Sequence, residues 1–181
     1  IDVNDVVVVV GAGQIGLFAI QAVRVKGAGT IIALDMREAR LTLARQLGAD
    51  VTINPGTTNV AAEMRRAVGH PDADAVLEAV GTEASVQLAM DLAKLGGHVT
   101  LIGNVTPRVQ VNLQDIVSRE LTLRGSCAIA GEYRACLDMM AAGRIQAKPL
   151  ISRIVPLAEG QAAFDALHRG DAGLMKIVLQ P

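Results

Sequence analysis

Val6-Val7-Val8-Val9-Val10-Gly11-Ala12-Gly13-Gln14-Ile15-Gly16 runs five β-branched residues straight into three glycines. A continuous apolar run of this length, without polar alternation, reads as a strand covered on both faces. After the glycines, Ile15, Phe18, Ala19 and Ala22 recur at helical spacing and are expected to form the buried face of a helix. The local reading is strand, tight turn, helix. A lone G-x-G-x-x-G says little, but here Asp35 closes the next β-branched run, 19 residues after Gly16.

In that context each residue has a physical task. Gly11 permits the tight turn, Gly13 lets a pyrophosphate approach the backbone, and Gly16 allows helix and sheet to pack closely. The free N–H groups near Gln14 and Ile15 face an anion with the helix dipole behind them. Asp35 can accept the ribose hydroxyls of an adenosine and would repel a 2′-phosphate, which favours NAD over NADP. Arg37 and Arg40 lean the other way, since guanidinium groups suit phosphates.

The rhythm continues downstream. Short apolar runs occur at Asp5–Val10, Thr30–Leu34, Val51–Ile53, Asp74–Ala79, His98–Ile102 and Leu121–Leu123. Between them, helical patterns cover Ala39–Leu47, Val60–Val68 and Glu83–Leu95, each followed by glycine. Alternation of this kind predicts crossover units in a Rossmann-type, doubly wound parallel sheet of six strands, spanning residues 1–127. The stretch Asn104–Glu120, with Pro107, breaks the pattern and ends in a short helix. Residues 128–181 carry helices at Tyr133–Ala142 and Glu159–His168 and short strands at Ile151–Val155 and Lys176–Leu179. They are expected to form a small α+β appendage outside the parallel sheet.

Composition excludes several function classes. The formal net charge of −1 gives no electrostatic case for nucleic acid or for a membrane surface. With two Phe, one Tyr and no Trp there is no stacking platform for single strands. No apolar run approaches the ~18–20 residues of a membrane span. Cys127 and Cys136 form no C-x-x-C or Cys/His cluster, so reduced thiols in a cytoplasmic protein are expected rather than a disulfide framework or zinc site.

Catalytic chemistry is not visible. Tyr133, the only tyrosine, is followed four residues later by Leu137, which excludes the Tyr-x-x-x-Lys arrangement of short-chain dehydrogenases. His70, His98 and His168 have no carboxylate or nucleophile partner in sequence. Val10 stands where glycine-loop methyltransferases usually carry an acid. Glu78, a carboxylate inside an apolar strand, needs partners; a structural hydrogen bond and an orienting role beside the cleft both satisfy that need.

The order of VVVVVGAGQIGLFAIQ, IIALDMREARLTLARQLGAD, ADAVLEAVGT, GGHVTLIG, ELTLRGS and LMKIVLQP resembles the zinc-dependent medium-chain alcohol dehydrogenases, especially their sorbitol-, butanediol- and threonine-dehydrogenase-like members. The resemblance spans essentially the whole chain. It implies a cofactor domain plus the segment that returns to a catalytic domain, with the zinc ligands of that domain outside this sequence. It also implies cofactor contacts: Gly11, Gly13, Gln14, Ile15 and Gly16 at the pyrophosphate, and Asp35 and Arg40 at the adenosine ribose. Val80 and Gly81 match the turn beside the adenosine, Ile102, Gly103 and Asn104 the turn against the nicotinamide, Ser126 to Ala128 the carboxamide-holding backbone, and Lys176 a basic residue reaching the pyrophosphate. The resemblance further implies NAD-linked hydride transfer from an alcohol or polyol in the full enzyme, no catalysis by this chain alone, and a homodimer through the Leu121–Arg124 edge. A stand-alone NAD(H) sensor and a zinc-free quinone reductase-like domain are the competing expectations. Without its catalytic domain, the tail is expected to pack loosely, to rearrange or to bury itself in a neighbour.

Overall fold

The computed structural model describes all residues, Ile1–Pro181. Six parallel strands form one sheet: β1 Val6–Val10, β2 Thr30–Leu34, β3 Val51–Ile53, β4 Ala73–Glu78, β5 Ala93–Leu101 and β6 Thr122–Gly125. Their order is β3-β2-β1-β4-β5-β6. Helices α1 Gln14–Lys26, α2 Glu38–Gln46, α3 Val60–Val68, α4 Glu83–Leu92 and α5 Leu113–Ser118 make the crossovers. This is the doubly wound architecture expected, with the strand order reversing between β1 and β4.

The valine run explains why β1 is central. All five residues are buried, and their side chains alternate between two cores. Val6, Val8 and Val10 join Met64 of α3 and Val86, Ala89 and Met90 of α4. Val7 and Val9 join Leu17, Ile20 and Val23 of α1 and Ala44 of α2. Burying a valine fully contributes about 1.5–3 kcal/mol, so a strand apolar on both faces is stable only with a helix layer on each side.

The buried face of α1 differs from the expected one. Leu17, Ile20, Gln21 and Val23 are buried together with Gly16, whereas Ile15 is exposed and Phe18, Ala19 and Ala22 are only half-buried. The cause is Gly16. A Cβ there would lie 1.7 Å from the Gly11 carbonyl oxygen, so the glycine must face the strand and fixes the helix rotation. Helix α4 is also shorter than its pattern, ending at Leu92. The Arg119 guanidinium takes the Met90 carbonyl at 3.0 Å and also holds that of Ala93, closing the helix end. Leu95, expected on that helix, is instead exposed within β5, which begins at Ala93 and is bent at Gly96, where φ is +69°.

The tail forms α6 Tyr133–Ala141, β7 Ile151–Pro156, α7 Gly160–Arg169 and β8 Lys176–Gln180. β7 and β8 pair in parallel as a separate two-stranded sheet, outside the main one as expected. Its packing corrects the expectation of a loose tail at one point and leaves it standing at another. Leu150 is inserted in the core beneath α1, and Gln21 holds Gln146 by two hydrogen bonds, at 2.6 Å and 3.2 Å. Val155, Ala163 and Ile177 make a small core of their own. Ile154, Leu157, Phe164 and Leu179 remain exposed, as does all of α6 bar partial cover of Cys136 and Met139.

Candidate nucleotide-binding crevice

The crevice lies at the C-terminal ends of β1, β2 and β4, where the strand order reverses. Gly13, in an extended conformation, is the N-cap of helix α1 and supplies no side-chain cap, and no acidic residue occupies the first turn. The first-turn N–H groups are therefore uncapped by any side chain, and the end of the helix is favourable for an anion. Gly11 has φ +94°, and a Cβ there would meet Val80 Cγ2 at 2.5 Å. Gly13 faces open space, with only the Arg40 guanidinium near its would-be Cβ, at 3.8 Å. Gly11 and Gly16 are thus required by packing, while Gly13 leaves the backbone accessible.

Asp35 closes this turn from β2. Its Oδ2 accepts the Ala12 N–H at 2.8 Å and a longer bond from Arg40 Nη1 at 3.4 Å; Oδ1 accepts the Arg37 N–H at 2.9 Å. The side chain is 7% exposed. A carboxylate has about four lone-pair sites, so Asp35 ties the glycine turn to the β2–α2 loop and still keeps accepting capacity. Gly11, Asp35, Arg37, Arg40 and Val80 surround one cavity of about 400 Å³, a size that suits part of a nucleotide.

Leu34, Met36, Pro55, Thr82, Ser85 and Leu88 line the same cavity and were not singled out from sequence. Thr82 and Ser85 had a legible signal, because they form a reciprocal capping box at the start of α4, with Ser85 N donating to Thr82 Oγ1 at 3.2 Å. Placing that box at the crevice requires β4 to lie beside β1.

The other sequence candidates fall in two further places. Gly81 and Gly103 stand back to back: a Cβ on Gly103 would lie 2.1 Å from the Gly81 nitrogen, and one on Gly81 would lie 2.3 Å from the Asn104 nitrogen. Ile102, Gly103 and Asn104 therefore form a turn packed against the one after β4, outside the lining of the first cavity. Ser126 lines a second cavity of about 580 Å³ with Arg124, Cys127 and Tyr133. Gln14 and Ile15 sit at the mouth of the glycine turn, Ile15 exposed. Lys176 is exposed at the start of β8 and lines neither cavity. Its neighbours Leu174 and Met175 instead share a cleft of about 200 Å³ with Arg37 and Arg40.

None of the three histidines lines the first cavity. His70 Nδ1 pairs with the Asp72 carbonyl at 2.8 Å, His98 lies on β5 and His168 in the last turn of α7. No group of three or more His, Cys, Asp or Glu side chains comes together to hold a metal ion, so the donor set does not fit zinc and no zinc step is assigned to these residues. No helix is long and apolar enough to cross a membrane.

Fold, glycine turn and acid together define a dinucleotide-binding domain. The family model described as zinc-binding dehydrogenase matches residues 15–142, and the chain belongs to that family. It is 30% identical over 177 residues to sorbitol dehydrogenase of Gallus gallus, covering 96% of this chain and 49% of the relative. It is 32% identical over 185 residues to L-threonine 3-dehydrogenase of Symbiobacterium thermophilum, covering 97% and 50% respectively. Among solved structures, a zinc-binding dehydrogenase from Sinorhizobium meliloti 1021, bound to NADP, superposes with a TM-score of 0.88 at 31% identity, covering 100% of this chain and 54% of that one. An alcohol dehydrogenase from Escherichia coli CFT073, complexed with NADH, gives 0.89 at 26% identity, covering 98% and 52%. The chain spans about half the length of the curated relatives it matches, and corresponds to the Rossmann half of zinc-type alcohol and polyol dehydrogenases.

Proposed function

We propose that this chain, residues 1–127 above all, binds NAD and positions it for hydride transfer to or from an alcohol or polyol in a longer zinc-dependent dehydrogenase. The observation that carries the choice of NAD is Asp35, a nearly buried carboxylate in the wall of the crevice beside the glycine turn. The bound cofactor would supply the hydride carrier. Gly11, Gly13, Gln14, Ile15 and Gly16 would hold its pyrophosphate on the α1 terminus. Asp35 would accept the adenosine ribose hydroxyls with Arg40 alongside, and Val80 and Gly81 would flank the adenosine. Ile102, Gly103, Asn104 and Ser126 would lie along the nicotinamide half. Lys176, exposed at the start of β8, would be the basic residue that reaches the pyrophosphate.

The chain alone is proposed to be non-catalytic, since no acid–base or nucleophile pair faces the crevice. Residues 128–181 are read as the return segment, with Phe164, Leu157 and Leu179 facing outward toward the rest of the longer protein. A cytoplasmic location and a homodimer through β6 complete the proposal.

A second reading, NADP, draws on Arg37 and Arg40 in the same cavity. Calorimetric titration of the chain with NADH and NADPH separates the two. Binding of NADH with at least tenfold preference supports Asp35 as the selector; equal binding, or a preference for NADPH, removes it.

A further inference from the structure

Glu78 is fully buried at the end of β4, directly opposite Val10 of β1 in register. Its Oε1 accepts the Val80 and Gly81 N–H groups, both at 2.8 Å. Its main-chain carbonyl accepts the Ile102 and Gly103 N–H groups at 2.8 Å and 3.0 Å. No protein group donates to its Oε2. One residue therefore anchors the turn after β4 through its side chain and the turn after β5 through its backbone.

Those turns have nowhere else to go. Val80, held by Oε1, presses its side chain onto Gly11, where a Cβ would lie 2.5 Å from Val80 Cγ2. Gly81, held by the same oxygen, stacks on Gly103 and accepts the Thr106 N–H at 2.8 Å. A burial-driven core would place an apolar residue here, since a buried carboxylate is costly unless hydrogen-bonded. What the carboxylate supplies that an apolar side chain cannot is a fixed acceptor for two consecutive amides.

We infer that Glu78 is a positioning residue of the crevice, which seats the Val80–Gly81 turn against Gly11 on one side and Gly103 on the other. The inference rests on the crevice being the dinucleotide site, and it acts through Val80 and Gly81 rather than by touching the cofactor.

Two variants of the full chain test it. Glu78→Gln retains an oxygen acceptor and Glu78→Met retains only the volume. Amide exchange and NADH titration are read on both. In E78M, exchange at Val80, Gly81 and Thr106 should rise about tenfold or more while Ile31 and Ile32 of β2 stay as in the parent, and NADH should bind about tenfold more weakly. E78Q should return both readouts to within about threefold of the parent. Exchange rising equally across the whole sheet in E78M, E78Q failing like E78M, or E78M binding NADH as the parent does would each overturn the inference. If the parent chain binds no dinucleotide, the cofactor reading fails by itself, and the exchange pattern alone then decides for or against the seating role.

Discussion

The Gly11 carbonyl oxygen lies 1.7 Å from the point where a Cβ on Gly16 would sit. The two ends of the glycine turn are therefore in backbone contact, and the first helix is pressed onto the first strand without an intervening side chain. Gly16→Ala should destabilise the chain by roughly 2–3 kcal/mol or more, read as a lower urea midpoint, because backbone must move to admit the methyl group. Gly125→Ala is the matched control. It has open space around it and should stay within about 0.5 kcal/mol of the parent.

Asp35 joins the turn to β2, and in the proposed site it would select the ribose. In Asp35→Asn the side-chain oxygen can still accept the Ala12 N–H while the exposed Arg37 N–H turns to water, so the fold should survive. The charge that opposes a 2′-phosphate is gone. NADH affinity should fall roughly tenfold, and the preference for NADH over NADPH should shrink by a similar factor. Calorimetric titrations of the variant with each cofactor check both.

Acid should weaken the chain through Asp74. Burial works against its charge, but the hydrogen bond from Lys94, the Val6 N–H and the Lys94 charge outweigh this and hold its pKa below the ordinary value of 3.8. A carboxylate lowered in the folded state contributes stability fully above its unfolded pKa and loses it as pH falls through the folded one. Urea denaturation between about pH 5 and 2 should show a steeper loss for the parent than for Asp74→Asn, and Asp74→Asn should already be the less stable at pH 7. Parallel slopes for the two proteins would remove Asp74 as a source of acid sensitivity.

Leu150 belongs to the tail by sequence and to the main core by position, only 2% exposed beneath α1. Leu150→Ala should cost about 2–4 kcal/mol. It should also raise amide exchange across Ile151–Val155, because the small sheet then loses its seat. A variant that loses stability with unchanged exchange in β7 would mean that the tail is anchored elsewhere.

The last strand, β6, ends the sheet with one edge unpaired. Open edges invite association. Sedimentation equilibrium at micromolar concentration should show a homodimer, and Leu123→Pro should return it to monomer. A parent that is already monomeric at that concentration would remove the edge-strand pairing.

Much of this was legible in the residues because the signals are local. Five valines cannot be satisfied except between two layers, so β1 was readable as a central strand. Turn glycines and the acid at Asp35 follow from spacing alone, and α3 was read with its observed ends because an apolar period over Val60–Val68 stops at Gly69; Asn59, which caps its start, was not part of that reading. The failures share a cause as well. Periodicity offered Ile15, Phe18, Ala19 and Ala22 as the inner face of α1, yet the backbone contact at Gly16 rotated the helix and buried Leu17, Ile20 and Gln21 instead. The α4 pattern ran on to Leu95, and a guanidinium from Arg119 ended the helix at Leu92.

By itself, then, the sequence determined the class of fold, the glycine turn and the acid beside it, since each depends on residues close together in the chain. Only tertiary structure decided that Glu78 stands opposite Val10, 68 positions away, that Thr82 and Ser85 reach the crevice, and that Leu150 completes the core beneath α1. Those facts depend on which strands become neighbours. Neighbourhood is set by the competition of whole layers for buried area, which no local spacing records.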